Sequence, residues 1–167
     1  LFNDASQALI TNSKFARSRD KGISVGEASQ LLLANSTLEN NHIGIESKDG
    51  SQAYAVRSNF TGNAIQLNAY KKNWKYDDGG KIIVNKSLFR GAENKMSADK
   101  RSHIVSADNA TAPSEVVLKG RVDIIDSKCG ENLDPMRACS PVFHEDVVAK
   151  LRKYGVSIAP ERRGIVP

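Results

Sequence analysis

Hydrophobic positions along the first half of the chain recur in a fixed phrase instead of at helical spacing. The stretches SQALITNSKF (6–15), SQLLLANSTL (29–38), SQAYAVRSNF (51–60) and GKIIVNKSLF (80–89) align without gaps. They carry Ser13, Ser36, Ser58 and Ser87 at one position and, two residues later, Phe15, Leu38, Phe60 and Phe89. Counted back from the serine, apolar residues alternate: Ala8 and Ile10, Leu31 and Leu33, Ala53 and Ala55, Ile82 and Val84. A period of two marks a strand, whose successive side chains point to opposite faces. A second phrase recurs as GISV (22–25), GIES (44–47) and AIQL (64–67). Turns rich in Asn, Gly and Ser, such as ENN (39–41), KDGS (48–51) and TGN (61–63), separate the pieces. Two short strands per repeat are therefore expected.

The four serines are spaced by 23, 22 and 29 residues. Self-similarity at a period of about 22 residues is the mark of a solenoid. Stacking equivalent strands about 4.8 Å apart lines the alternating residues into continuous inward columns, with Ile23, Ile45 and Ile65 forming another. The predicted fold is all-β: a parallel β-helix over residues 1–126, followed by a capping segment over 127–167. A solenoid closes its own core, so its parallel strands need no crossover helices. The competing fold is an antiparallel sandwich of short strands, which gives no reason for gapless repeats sharing Ser and a following Phe or Leu.

Leu9, Leu32, Tyr54 and Ile83 sit between the inward residues and predict an apolar column on the outside of one sheet. Such columns are normally covered. SPVFHEDVVAKLRKYG (140–155) reads as one helix, about 141–154, with Ser140 as N-cap, Pro141 first, Glu145 and Asp146 early, Lys150, Arg152 and Lys153 late, and Gly155 as stop. Phe143, Val147, Leu151 and Tyr154 share one face, and the helix is expected on the outer column or over the open C-terminal end. SEVVLKGRVDIID (114–126) is expected to supply the last coil. Cys129 and Cys139 would form a disulfide worth roughly 2 to 3 kcal/mol by the loop-entropy argument, pointing to an oxidising compartment. The alternative leaves them unbonded. No metal is expected there, because neither His144 nor any neighbour completes a ligand set.

The phrases N-S-x-F/L, N-N-x-I-G-I and K-D-G-S resemble the right-handed parallel β-helix repeats of the pectin-lyase-like superfamily, over roughly residues 1–110. More loosely, DKGISVGEASQ and NNHIGIESKDGS resemble β-helical segments of bacterial surface proteins. The resemblance implies the fold, and function only broadly: the superfamily holds polysaccharide lyases, hydrolases and epimerases, phage tailspikes and non-enzymatic surface proteins. The Trp-Ile-Asp-His and Arg-x-Pro-x-x-Arg phrases of pectate lyases are missing, as are the Asp pairs of calcium-dependent and polygalacturonase sites. Those mechanisms are therefore not expected, and no cofactor or metal is implied.

Composition adds direction. The chain has 167 residues, 40 % hydrophobic and 26 % charged, which excludes a disordered or collagen-like chain. Its net charge of +5 and pI near 9.3 favour an anionic partner. No apolar run approaches the ~18 residues of a membrane span, so no membrane insertion is expected. LFNDASQALI carries neither a basic n-region nor a cleavage site, and five or six coils would make a stack shorter than the enzymes it resembles. The chain reads as a soluble module whose partners include the remainder of a longer parent chain.

The third serine interval is about seven residues too long, and the excess falls in NAYKKNWKYDDGG (68–80). Loops inserted in solenoids are often where binding occurs. This one interleaves Tyr70, Trp74 and Tyr76 with Lys71, Lys72 and Lys75. An exposed indole beside ammonium groups suits stacking on a sugar ring while attracting carboxylate or sulfate. In the alternative, Trp74 folds back onto the solenoid flank and the lysines are merely solvated. Single-stranded nucleic acid is disfavoured, because no basic groove or RNA-binding fingerprint accompanies the loop.

Catalysis on a polysaccharide needs paired acid and base groups in an open groove. By coil register, Glu27 and Asp49 occupy equivalent positions two before Ser29 and Ser51. Glu46 faces outward, level with Ser24 and Gln66, and Lys48 and Tyr70 flank the same edge. Glu27, Glu46, Lys48, Asp49, Tyr70 and Lys72 are the candidate cleft residues, against the plainer reading of stacked polar turn residues. His42 and His103 fall in turns without an identifiable partner. Two functions follow. One is a non-catalytic β-helical module of a secreted or cell-surface protein, either a scaffold or a binder of acidic polysaccharide or other surface components. The other is a polysaccharide lyase, epimerase or glycoside hydrolase fragment. Either places the protein at the extracellular face, the cell surface or the periplasm.

Overall fold

The structure, a computed structural model, describes residues 6–91, 93–107, 109–111 and 118–125. These form a stack of five parallel coils. The first holds β1 (Gln7–Thr11), β2 (Lys14–Ala16) and β3 (Lys21–Val25). The second holds β4 (Gln30–Ala34), β5 (Thr37–Glu39) and β6 (Ile43–Lys48), the third β7 (Gln52–Val56), β8 (Asn59–Thr61) and β9 (Ile65–Tyr70). The fourth holds β10 (Lys81–Asn85), β11 (Leu88–Arg90) and β12 (Met96–Ala98), the fifth β13 (His103–Ala107), β14 (Ala110–Thr111) and β15 (Leu118–Lys119), and β16 (Val122–Ile125) follows. The segment expected to supply the last coil thus contributes β15 and β16.

Each coil has three strands, one more than expected, because the serine is a corner and not part of a strand. First strands stack in the order β1-β4-β7-β10-β13-β16, second strands as β2-β5-β8-β11-β14, and third strands as β3-β6-β9-β12-β15. All pairings are parallel. At the first corner Asn12, Asn35, Arg57 and Lys86 take positive φ of 50°, 50°, 48° and 47° and turn the chain sharply. The serine that follows then serves two coils. The Ser13, Ser36 and Ser58 amides donate to the hydroxyls of Ser36, Ser58 and Ser87 at 3.1, 3.2 and 3.0 Å. Each of these hydroxyls donates to the carbonyl two residues back, as Ser58 does to Val56. The shared serine therefore satisfies buried corner amides that would each cost about 1 to 3 kcal/mol if left unpaired. A second ladder runs through the buried amides of Asn41, Asn63, Gln66 and Asn94.

Inside, Leu31, Leu33, Ala53, Ala55, Ile82, Val84 and Ile104 face Leu38, Phe60 and Phe89 and the third-sheet residues Ile23, Val25, Ile45, Leu67, Ala69 and Met96. Volumes compensate between the second and third coils: two leucines accompany Leu38, whereas two alanines accompany Phe60. Phe60 and Phe89 stack with ring centroids 4.9 Å apart at 22°.

The inward column through Ile23 and Ile45 continues to Leu67, not Ile65, which pairs with Ile43. Residues two apart share a face, so alternation alone does not distinguish Ile65 from Leu67; the constant 22-residue rise does. The outward column Leu9, Leu32, Tyr54 and Ile83 is in register and continues to Val105. Leu32, Ile83 and Val105 are buried on that side, apart from the core cluster. The expected helix 141–154, the capping segment 127–167, and Cys129, Cys139 and His144 lie outside the described residues.

Candidate functional site

At the third corner the first two turns are tight. Glu27 and Ala28 take φ of 62° and 59°, Asp49 and Gly50 54° and 72°, the pattern of a type I′ turn. The Ser29 and Ser51 amides close these turns onto the carbonyls of Gly26 and Lys48. In the third coil the two turn residues give way to the nine residues 71–79, between Tyr70, level with Lys48, and Gly80, which precedes Lys81, the partner of Gln52. Gly80 holds the rung that Ser51 holds one coil earlier, because a Cβ there would collide with the Ser47 carbonyl.

Two aspartates from neighbouring coils hold this loop. Asp49, 2 % exposed, accepts the amides of Lys72 and Asn73 on one carboxylate oxygen, both at 2.7 Å. Asp99 accepts the Lys71 amide at 2.7 Å and the Arg101 amide at 2.9 Å. Burial opposes ionisation of Asp99, but hydrogen bonds from the Lys71 amide, the Ser102 hydroxyl and the amides of Arg101 and Ser102 outweigh it and hold its pKa below the ordinary value. The far limb is fixed at the Asp77 carbonyl, which accepts from Lys71 Nζ at 3.2 Å and from the Arg101 guanidinium at 2.7 Å. The Gly79 amide donates to Arg101 and its carbonyl accepts from Gly50.

On this anchored base Trp74 is 91 % exposed. The indole does not fold back onto the solenoid. Lys75 lies over the Tyr76 ring, 5.6 Å from its centroid, while Lys72 is exposed. Of the six predicted ligand residues, Lys71, Lys72, Trp74, Lys75 and Tyr76 thus share one loop. Tyr70 ends β9 and points to a different cluster.

That cluster centres on Glu46, 2 % exposed on the outer side of the third sheet. Its carboxylate receives the Ser24 hydroxyl at 3.5 Å, the Asn68 amide at 3.4 Å and the Tyr70 hydroxyl at 3.4 Å, and Lys21 Nζ lies at 3.8 Å. Glu46 is level with Asn68, not Gln66, by the same two-residue slip as Ile65. Burial, then the Glu46 charge, raises the Tyr70 pKa, so the phenol stays protonated and donates to Glu46. The Asp20 hydrogen bond raises the Lys21 pKa.

The remaining catalytic candidates do not converge. Glu27 and Asp49 do occupy equivalent turn positions, but Glu27 is exposed whereas Asp49 is spent on loop amides. Lys48 lays its stem across Gly26. His103 is in a strand, not a turn, and its Nε2 lies 2.6 Å from the Asp123 carboxylate. Asp99, Arg101 and Lys21 escaped the sequence reading. The signal for Asp99 was present: DKRS (99–102) ends on a serine in the rung of Ser51, as KDGS does. No group of three or more potential metal ligands occurs among the described residues.

A family model described as right handed beta helix region matches residues 1–112, more than half of the chain. No curated protein and no solved structure matches it significantly.

Proposed function

The chain belongs to the right-handed β-helix family, and on that premise we propose that it is a non-catalytic scaffold module that binds acidic polysaccharide at a cell surface. The observation that carries this reading is the bare Trp74 indole on a loop anchored at both limbs. Exposing an indole to water is unfavourable in isolation, and a pre-anchored loop lowers the ordering cost of binding. A pyranose ring offers an apolar face for the indole, and the exposed Lys72 ammonium in the same loop suits its carboxylates or sulfates.

Binding without cleavage is supported by what the candidate acids and bases already do. Glu46 lies beneath Lys21 and Tyr70, and Asp49 holds amides. A secreted, periplasmic or surface location follows from the ligand, since acidic polysaccharides are extracytoplasmic polymers.

The test is titration calorimetry of oligogalacturonate, alginate oligomers and a neutral glucan against wild type and Trp74→Ala. Saturable binding of an acidic oligomer, weakened at least tenfold by Trp74→Ala with no new reducing ends or unsaturated products, is expected. Absence of acidic-glycan binding would sink the proposal, and product formation would transfer the site to the enzymes.

A further inference from the structure

The limbs of the loop 71–79 are tied to the coils, but Trp74 stands at its apex, and the apex has its own support. Residues 73–76, Asn-Trp-Lys-Tyr, close a turn. The Tyr76 amide donates to the Asn73 carbonyl at 3.4 Å, and the Lys75 amide donates to the Asn73 side-chain oxygen Oδ1 at 3.0 Å. Asparagine is favoured at the first position of such a turn because its side chain accepts from the backbone two residues on. The Asn73 amide in turn donates to Asp49 at 2.7 Å.

Three groups of one residue therefore do two jobs. The amide joins the turn to Asp49, which is 2 % exposed in the KDGS turn of the second coil. The backbone carbonyl and the side-chain oxygen close the turn whose two central residues are Trp74 and Lys75, both exposed. Ordering an exposed turn costs backbone entropy at every residue, and the bare indole regains none of it by burial. The hydrogen bonds of Asn73 offset that cost in the ligand-free protein, so that a ligand meets an indole already displayed.

We propose that Asn73 is the positioning residue of the glycan site, presetting the turn that carries Trp74 and acting through it instead of on the sugar. Its effect on binding rests on the polysaccharide reading of the loop; its setting of the turn does not.

The test compares Asn73→Ala and Asn73→Ser with wild type. A serine hydroxyl makes the same turn contact more weakly and brings no charge. Exchange of the Lys75 and Tyr76 amides is followed in the free protein by nuclear magnetic resonance, and affinity by titration with an oligogalacturonate. The Lys75 amide is expected to exchange about tenfold faster in Asn73→Ala and to change less in Asn73→Ser, with affinity falling in the same order, by up to about tenfold, and the Tm unchanged. Unaltered exchange in Asn73→Ala would overturn the proposal. So would lost affinity at unaltered exchange, because Asn73 would then be a sugar contact, and so would faster exchange at full affinity, because the turn would then not position the indole. A wild type that binds no acidic oligomer would sink the polysaccharide reading instead, and the order of exchange alone would then decide whether Asn73 sets the turn.

Discussion

Ser58 and Ser87 are 29 residues apart yet occupy adjacent rungs. The Ser58 amide donates to the Ser87 hydroxyl at 3.0 Å, as the Ser36 amide does to Ser58 at 3.2 Å across 22 residues. The seven additional residues leave the ladder intact because they are absorbed at a different corner, in place of a two-residue turn. Scaffold and loop are thereby separable. Replacing residues 71–79 with Asp-Gly, the turn of the preceding coil, is expected to keep the fold within about 1 to 2 kcal/mol of wild type, since loop length itself costs little. Acidic-glycan binding should vanish. Urea unfolding followed by circular dichroism, paired with calorimetry, checks both; a chain that fails to fold would show that the loop is structural.

Ala28 and Gly50 are equivalent residues at φ of 59° and 72°. Glycine adopts this conformation freely, whereas a Cβ costs about 1 to 2 kcal/mol there. Ala28→Gly is expected to stabilise the protein by up to about 1 kcal/mol, and Gly50→Ala to destabilise it by a similar amount. Arg57→Asn should gain less in the same direction, because asparagine tolerates the left-handed region better than arginine. Shifts in the urea midpoint at constant slope measure each effect.

Much of this architecture was legible because a stack writes the same physical demand at every turn. Leu38, Phe60 and Phe89 fill one column, and Ser36, Ser58 and Ser87 answer one set of corner amides, so composition and spacing expose both. Ile65 was misplaced because period-two alternation fixes a face but not a position along it. Trp74 could be located in the insertion, yet its exposure depends on Asp49 and Asp99, and Asp99 reaches the loop from 28 residues away. Such anchoring is written across coils, through backbone amides that carry no residue identity.

Acid should loosen the loop. The Asp99 pKa lies below its ordinary value of 3.8, so the stability it contributes is complete above that value and is lost as pH falls through the folded-state value. Asp99→Asn is expected to flatten the decline in stability below about pH 4 and to raise exchange of the Lys71 amide. Asp20 is also lowered, by its hydrogen bond to Lys21, but is fully solvated. Asp20→Asn should therefore leave the acid limb nearly unchanged, and a comparable flattening in both variants would refute the assignment to Asp99.

Alkali tests the Glu46 cluster from the opposite side. The Tyr70 pKa stands above its ordinary value of 10.0, first through burial and then through the nearby Glu46 charge. A group with a raised folded-state pKa contributes stability that is complete below the unfolded value and lost as pH rises through the folded one. Stability should therefore fall above about pH 10. Lys21, raised by its hydrogen bond to Asp20, adds a loss of the same sign. Tyr70→Phe is expected to remove the tyrosine share and leave the lysine share. Glu46→Gln should lower the Tyr70 pKa only in part, since burial, the larger cause, persists. Ultraviolet titration of tyrosinate, differenced against Tyr70→Phe, reads that pKa directly. If Glu46→Gln left it unmoved, the 3.4 Å contact between the phenol and the carboxylate would not be the interaction that perturbs it.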